Sequence, residues 1–321
     1  MRVVKNVMIG REEINLENAN FRRAIYIHNL KVDVLRNKHS YIENYLNQNG
    51  VYTTTVTFNE EDDDIYRKLE NSILGTDTPF DLVIVYGGDG TLSMVLNILL
   101  CNGLEDVPIG IMPAGTCNDF AASIGLNRHV RHCLKKIVAG NIKHVDVGLA
   151  ENEMYFLSSF AGGNLTAVSY STGRSAKRLF GRVAYYCKSV FNIRNMKTFH
   201  VRITGNNGTI EADDALLYAL GNGRQIAGMR KLNKDLQIDE GNMNVVVVRK
   251  CAIVVMVYLF VNALFLGVQE GKHVKMMRVN ECEIKVDTGV ELTIDGEKYK
   301  PKDTEGNIAL KVLQRQVKVF C

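Results

Sequence analysis

The stretch "DLVIVYGGDGTLSMVLNILL" (Asp81 to Leu100) changes from a strand pattern to a helix pattern across a short run of glycines. Asp81 to Tyr86 carries consecutive apolar residues after an acidic start, which is typical of a buried strand in a parallel sheet. From Thr91 onward the apolar residues recur at helical spacing. Glycines between a strand and a helix N-terminus expose backbone N–H groups, which favour an anion. The alternative is that they only close a tight turn.

Asp89 lies within this glycine run. A carboxylate among phosphate-facing amides would repel a phosphate unless a cation lay between them. The pattern therefore predicts Mg²⁺ together with a phosphate ligand.

Composition limits the classes of protein that fit. The chain has 321 residues, of which 46% are hydrophobic and 23% charged, and a net charge of +4. This length predicts two domains, and the composition is that of an ordinary globular protein. Because no Lys/Arg-rich block with interleaved aromatic residues occurs, we expect no nucleic-acid partner.

The cysteines and the N-terminal stretch bear on the compartment. The seven cysteines show no C-x-x-C spacing, and the N-terminal residues lack the apolar core of a signal peptide. We therefore expect a cytoplasmic protein with free thiols.

The apolar segment Cys251 to Val268 is long enough for a marginal membrane span. A buried helix, or one partly touching a bilayer surface, is favoured because strand-like segments flank it.

The order of elements predicts the domain organisation. Strand and helix patterns alternate over residues 1–143, which predicts an α/β domain with an open parallel sheet and ligands at the carboxyl ends of its strands. Residues 144–321 are rich in hairpin patterns and predict a mostly β domain, with helices near Arg178 to Ile193 and Ile253 to Leu266. The last strand could return to the first domain.

A second loop, "IMPAGTCNDFA" (Ile111 to Ala121), also follows a strand and leads into a helix pattern. Thr116 can donate its hydroxyl to a phosphate, and Asn118 or Asp119 can cap the helix. Capping alone is an equally good interpretation of Asp119. The P-loop pattern G-x-x-x-x-G-K-[ST] is absent from the sequence, which excludes that class of NTPase.

The segments "GGDGT", "PAGTCNDFA", "VDVG" and "IDGE", taken together, resemble the diacylglycerol kinase catalytic-domain superfamily, and most closely its soluble bacterial lipid kinases. The resemblance runs from about Arg23 to the end of the sequence. "GGDGT" alone is shared with NAD kinases. The resemblance implies an NAD-kinase/diacylglycerol-kinase-like α/β domain, a β-sandwich domain, and a nucleotide in the cleft between them.

The resemblance also implies ATP and Mg²⁺ as cofactors and a set of site residues. Asp89 would hold the catalytic Mg²⁺, and Glu297 would be the general base that takes the proton of the acceptor hydroxyl. On residue pattern alone, Glu297 is more typical of a solvated residue in a D-G hairpin turn. The residues expected to contact ATP are Asn29, Thr57, Gly88, Asp89, Gly90, Thr91 and Thr116.

A second, structural metal site is implied at Gln237, Glu240 and Asn242, tied through water to Asp146. Glu240 stands where relatives carry an aspartate, so its arm is one methylene longer, and Asp239 could compete with it. Further departures from the family pattern are Leu30 in place of a proline, a missing loop glycine near Asp33, and Ser93 and Met94 in place of Asn-Glu.

We expect the acceptor to be a lipid and the partner to be an anionic membrane surface, contacted peripherally. A basic amphipathic stretch supports this, although a core-packed helix with a solvated face is a competing interpretation. The oligomeric state is left open, with a homodimer as one candidate. The basic residues of this stretch are Arg174, Lys177, Arg178, Arg182 and Lys188, and its apolar residues are Leu179, Val183, Tyr186 and Val190.

Three functions remain in competition. The first is an ATP-dependent lipid kinase that phosphorylates the hydroxyl of diacylglycerol or a related lipid alcohol. The second is an NAD kinase-like enzyme, which shares only "GGDGT". The third is a non-catalytic nucleotide- or lipid-binding regulator, favoured by Ser93, Met94 and the altered Asn29 loop.

Overall fold

The structure is a computed structural model that divides into two compact units. Unit 1 comprises Met1–Val145 together with Gln316–Cys321, and unit 2 comprises Asp146–Arg315. The residues that the structure describes are 6–9, 12–15, 23–30, 37–59, 64–76, 79–163, 197–222, 225–226, 229–230, 238–265 and 267–321.

Unit 1 alternates strands and helices after an antiparallel hairpin. The hairpin consists of β1 (Asn6–Ile9) and β2 (Glu12–Asn15). The remaining strands are β3 (Arg23–Asn29), β4 (Tyr52–Phe58), β5 (Leu82–Gly87) and β6 (Ile109–Pro113). The helices are α1 (Asn37–Gln48), α2 (Ile65–Leu74), α3 (Asp89–Cys101), α4 (Asp119–Ser123) and α5 (Val130–Ala139).

The sheet of unit 1 is parallel, with the strand order β4-β3-β5-β6. Every residue of β5 and β6 is buried, as are the residues of β3 after its first. Such all-buried strands explain the uninterrupted apolar runs, because helices cover both faces of a parallel sheet. Parallel strands place their carboxyl ends at one edge, so the loops after β3, β5 and β6 meet there. The predicted α/β fold of this domain is confirmed.

Unit 2 is mostly β structure. Its strands are β7 (Ile142–Ala150, which starts in unit 1), β8 (Met154–Phe156), β9 (Ser159–Gly163), β10 (Phe199–Gly205), β11 (Gly208–Gly221), β12 (Gln225–Ile226), β13 (Met229–Arg230), β14 (Met243–Arg249), β15 (Val274–Val279), β16 (Glu281–Val286), β17 (Leu292–Ile294), β18 (Glu297–Tyr299) and β19 (Asn307–Phe320, which ends in unit 1). Its helix α6 spans Ile253–Phe265.

These strands pair antiparallel in the order β18-β17-β9-β11-β10-β16-β19, and β14 joins β11 to β15. Alternate residues point into one apolar core, which includes Phe160, Tyr218 and Val245. This period-2 pattern is the reason that the hairpins could be read from the sequence. The predicted β-sandwich domain is confirmed. The helix expected near Arg178 to Ile193 lies outside the described residues.

β19 pairs with three strands, β7, β16 and β6. Its first residues lie antiparallel to β16, with Ile308 opposite Ile284. Near its end, Val319 lies parallel to Ile109 of β6 and extends the sheet of unit 1.

Helix α6 has thirteen residues and coincides with the apolar segment noted in the sequence. Among the described residues, no helix is both long and apolar enough to cross a membrane.

Candidate active site

The first loop of the candidate site connects β5 to α3. Gly88 occupies the N-cap position, and the Leu92 N–H donates to the Gly88 carbonyl at 3.0 Å. Gly90 and Thr91 belong to the first turn of α3, where backbone N–H groups have no acceptor within the helix. These N–H groups lie at the N-terminal end of α3, which is the positive end of its dipole, and this arrangement favours an anion.

Asp89 connects this first loop to the second. Its Oδ2 accepts the backbone N–H of Asn118 at 2.7 Å, and the N–H groups of Asp119 and Phe120 also donate to its carboxylate. Burial raises the pKa of the Asp89 carboxyl, and these N–H bonds offset only part of that rise. Asp89 thus serves as the acceptor for the first turn of α4, a contact between residues 29 positions apart.

The second loop packs directly on the first. The Ala114 N–H donates to the Gly87 carbonyl at 2.8 Å. A Cβ on Gly115 would lie 2.5 Å from the Gly88 Cα, closer than real Cβ atoms approach, so the contact requires glycine. Asn118, in the left-handed region at φ 55°, closes the turn through bonds of its side chain to the N–H and carbonyl of Gly115.

Arg128 supports the second loop from the segment before α5. Its Nη2 donates to the carbonyl oxygens of Gly115 and Thr116, the latter at 2.6 Å. Thr116 itself is exposed, which leaves its side chain accessible to a ligand. Sequence reasoning missed Arg128, because no motif or periodicity marks it.

Asn29 and Thr91 form a buried pair behind the first loop. Asn29 is 0% exposed and Thr91 3% exposed, and the Asn29 Nδ2 donates to the Thr91 Oγ1 at 3.2 Å. The hydroxyl of Thr91 therefore points into the protein, and its N–H is the group that could face a phosphate. Asn29 acts by holding Thr91.

Thr57 stands apart from these contacts. It is exposed near the carboxyl end of β4, paired in register with His28 of β3. The structure thus brings Asn29, Asp89 and Thr91 together through hydrogen bonds with each other or with the second loop, and leaves Thr57 and Thr116 as exposed side chains.

The geometry of these loops fits a metal–phosphate ligand. Glycines leave the strand-to-helix junction without side chains, and the N-terminus of α3 supplies N–H donors. Burial disfavours the negative charge of Asp89, and the groups that donate to its carboxylate are backbone N–H groups, which carry only partial positive charge. A divalent cation beside Asp89 would supply that missing positive charge.

Glu297 lies in unit 2, at the start of β18. Asp295 and Gly296 have φ values of 50° and 85°, the left-handed pair that a tight two-residue hairpin turn requires. The turn places Ile294 opposite Glu297 and leaves the Glu297 side chain exposed. Its carboxylate is therefore accessible to an acceptor hydroxyl.

Asp295 anchors this hairpin. Its carboxylate accepts the backbone N–H groups of Leu157, Ser158 and Ser159 at 2.9, 2.7 and 3.0 Å. These donors belong to the turn between β8 and β9 and to the first residue of β9, so Asp295 fixes the position of the hairpin that carries Glu297. The sequence marked Asp295 only as a turn residue.

The described residues do not test the second metal site that the resemblance implies. Gln237 lies outside them, and the Glu240 carboxylate lies 3.8 Å from the Arg278 guanidinium. Asn242 Nδ2 donates to the Glu240 carbonyl at 3.0 Å. Within the described residues there is no group of three His, Cys, Asp or Glu side chains that could hold a metal ion. The site at Gln237, Glu240 and Asn242 stays a prediction, and no function is derived from it.

Asp146, the expected partner of that site, is bonded to backbone groups instead. Its carboxylate oxygens accept the N–H groups of Gly241 and Arg315, at 2.5 and 2.8 Å. Burial raises the pKa of the Asp146 carboxyl despite these bonds. Its role in the structure is to tie β7 to the turn before β14 and to β19.

Comparison with known proteins supplies the family. Residues 33–150 match the diacylglycerol kinase catalytic domain, and residues 161–319 match the YegS C-terminal NAD kinase beta sandwich-like domain. A diacylglycerol kinase of Staphylococcus saprophyticus is 32% identical over 227 residues, covering 68% of this chain and 70% of that protein. The chain belongs to the diacylglycerol kinase family.

Other relatives of the family agree with this result. A diacylglycerol kinase of Staphylococcus haemolyticus is 31% identical over 255 residues, covering 77% of this chain and 73% of that protein. A diacylglycerol kinase crystal structure from Bacillus anthracis has a TM-score of 0.71 at 21% identity, covering 94% of this chain and 97% of that one. Yeast NADH kinase complexed with NADH has a TM-score of 0.51 at 10% identity, covering 99% and 88%, and shows that the two groups share a fold.

Membership of the diacylglycerol kinase family confirms the resemblance drawn from "GGDGT", "GTCNDF" and "IDGE", and with it the prediction of a lipid kinase. The departures Ser93 and Met94 are half-buried residues in the second turn of α3. They replace polar residues near the loop but do not alter the bonds of Asp89 or Thr91 described above.

Proposed function

We propose that the protein transfers the γ-phosphate of ATP to the hydroxyl of diacylglycerol or a related lipid alcohol, using Mg²⁺. The observation that carries the proposal is the junction at Asp89, where a carboxylate with a pKa raised by burial lies beside the glycine loop and the N-terminus of α3. Family membership supports the lipid kinase class. The nucleotide, the metal and the acceptor are the parts that we infer.

In this proposal, unit 1 binds the phosphates. The N–H groups of Gly90 and Thr91 donate to phosphate oxygens, and Gly88 lets the phosphates approach the backbone. The Asp89 carboxylate, positioned by its N–H donors, would hold a magnesium ion, and that ion would neutralise charge on the phosphates. Thr57 and Thr116 present exposed hydroxyl groups that we assign to nucleotide contacts.

Glu297 takes the proton in the transfer step. As the acceptor oxygen forms its bond to the γ-phosphorus, the bond from that phosphorus to the β–γ bridging oxygen breaks and ADP leaves. The proton of the acceptor hydroxyl passes to the Glu297 carboxylate.

Since the acceptor lipid resides in a bilayer, we also propose a cytoplasmic protein that contacts an anionic membrane surface peripherally. The basic residues Arg174, Lys177, Arg178, Arg182 and Lys188, first considered for that contact, lie outside the described residues.

The test is an assay with γ-labelled ATP, Mg²⁺ and a total lipid extract, with the product identified by mass spectrometry. We expect a labelled phospholipid whose mass equals a diacylglycerol or related lipid alcohol plus one phosphate. A labelled dinucleotide formed when NAD is supplied would instead establish the NAD kinase-like alternative.

The non-catalytic alternative rests on Ser93, Met94 and the altered Asn29 loop. Steady-state ATP turnover, measured with and without lipid, separates the two functions. A regulator would bind nucleotide without lipid-dependent turnover, whereas the proposed kinase releases ADP only when an acceptor is present.

A further inference from the structure

Helix α6 exposes one apolar side to solvent. No charged residue occurs from Cys251 to Val268, and apart from Asn262 and the Tyr258 hydroxyl the side chains of the helix are apolar. The exposed positions fall within an arc of about 140° on the helix surface. They are Ile253 (43% exposed), Val254 (76%), Val257 (42%), Tyr258 (63%) and Val261 (44%). We call this set the α6 face.

The opposite side of α6 packs on the sheet of unit 2. Met256 contacts Leu216, and Leu259 packs against a cluster formed by Ala219, Val246 and Val274. The β sheet thus covers one side of the helix only. A helix that is apolar all round normally lies in a core or in a membrane, and a contiguous exposed apolar surface marks an interaction site.

Cations flank the α6 face. Helix α6 lies in the connection between β14 and β15. The pair of residues next to this connection is Val248 of β14 with Val274 of β15, so the connection leaves and re-enters the sheet at neighbouring positions. The exposed residues Lys250 and Lys272 lie near these two ends, with Glu270 as the acid of the connection. Arg249 is engaged with Asp214 at 2.7 Å.

We propose that the α6 face docks onto the surface of an anionic bilayer, an inference that names the partner of the proposed lipid kinase and rests on that function. At 1.5 Å per residue, thirteen residues extend about 20 Å, shorter than the ~30 Å hydrocarbon core, so the helix lies in the surface plane. Its valines and isoleucine enter the acyl boundary, Tyr258 sits at the headgroups, and the lysines meet the lipid phosphates.

The charges favour a bilayer over a second copy of the chain. A symmetric dimer through the α6 face would place Lys250 and Lys272 of both copies around one interface, and the net positive charge there would oppose association. An anionic lipid surface offers the complementary charge. The aliphatic side chains of this face cannot form hydrogen bonds, and the acyl chains of a lipid require none.

Because the chain contains no tryptophan, one introduced tryptophan reports on a single position. Val254→Trp is the reporter, and Tyr52→Trp is the matched control, since Tyr52 is 64% exposed on β4 of unit 1. On addition of phosphatidylglycerol/phosphatidylcholine vesicles, we expect a blue shift and quenching by acyl-brominated lipids for Val254→Trp only. Equal responses of the two variants, or no response of Val254→Trp, would overturn the proposal.

A second experiment measures affinity. Val254→Glu with Tyr258→Glu should lower co-sedimentation with the same vesicles at least about tenfold, because two apolar anchors become anions facing anionic lipid. Tyr52→Glu with Leu74→Glu, equally surface changes in unit 1, should leave it unchanged. Activity on vesicle-borne diacylglycerol should fall with binding, while activity on a short-chain soluble diacylglycerol persists.

Unchanged sedimentation of the α6 variant, or its conversion from dimer to monomer in size-exclusion chromatography without loss of vesicle binding, would refute the docking proposal. Because sedimentation and fluorescence require no turnover, the docking result does not depend on the kinase result. Vesicle binding through α6 without activity on any acceptor would refute the proposed function and leave the docking surface intact.

Discussion

The two regions that carry the predicted chemistry are built in opposite ways. The loops after β5 and β6 are locked to each other by backbone contacts, and their carboxylate, Asp89, accepts several N–H groups and is half-buried. In the hairpin of β17 and β18, the carboxylate of Glu297 is exposed. Only the turn of this hairpin is held in place, by the hydrogen bonds that Asp295 accepts. The first region is therefore preorganised for the ligand that we propose, whereas the second leaves its proposed base, Glu297, exposed to water.

Replacing Glu297 should have the largest effect on activity. Glu297→Gln keeps the shape of the side chain and removes its ability to accept a proton, so kcat should fall on the order of 1,000-fold. Because Glu297 is exposed, the unfolding temperature should stay unchanged, and ATP affinity should remain within a few-fold. Single-turnover kinetics measure the rate of transfer, and an ATP titration measures the affinity. Retained turnover in the variant would assign the proton transfer to another group.

Asp89→Asn should reduce turnover on the order of 100-fold, because a charge that holds the metal in the transfer step is lost. Its amide oxygen can still accept the Asn118 N–H, and burial disfavours the original charge, so the metal-free variant should unfold at no lower a temperature. Mg²⁺ with ATP should stabilise the parent far more than the variant in a thermal shift assay. Equal Mg²⁺ dependence in both proteins would make Asp89 a turn residue only.

Gly115→Ala tests the contact between the two loops. The new Cβ would lie 2.5 Å from the Gly88 Cα, so the loops must separate, at a cost of about 1–3 kcal/mol in the free energy of unfolding. We expect about a tenfold loss in kcat/KM from the displaced phosphate donors. Gly271→Ala is the control, since a Cβ there meets no atom within 4 Å. A Gly115→Ala protein as active and stable as the parent would show that the loops need not touch.

Asp295→Ala should change activity least, because it acts only through the position of Glu297. Three backbone N–H groups lose their acceptor, which should lower the free energy of unfolding by about 2 kcal/mol. Asp295→Asn retains one acceptor oxygen and should recover part of both stability and kcat, with KM for ATP unchanged. If Asp295→Ala unfolds like the parent in urea, the anchoring role assigned to Asp295 is wrong.

The sequence revealed what is local and missed what is distant. The strand-glycine-helix patterns at β5 and β6 predicted both loops, because each depends on a few consecutive residues. The bond from Asn118 to Asp89 joins residues 29 positions apart, and those from Leu157 and Ser159 to Asp295 join residues 138 and 136 apart. No local pattern encodes such partners, so Asp295 could be recognised only as a turn and Arg128 not at all.

Helix α6 shows a different limit. Its existence followed from the apolar run, but a helix that is apolar on nearly every side carries little periodicity to tell its covered side from its exposed side. Only the packing of Met256 and Leu259 on the sheet distinguishes them.

The course of β19 has a consequence for biosynthesis. Unit 1 includes residues Gln316–Cys321, which follow the whole of unit 2 in the chain. Until these residues emerge from the ribosome, β6 lacks the neighbour that Val319 provides and presents an open strand edge. Open edges recruit other strands, and contacts between sequence-distant residues form slowly. A nascent chain would therefore hold unit 1 incomplete throughout synthesis of unit 2, and a polypeptide truncated after Val145 would keep that edge permanently open.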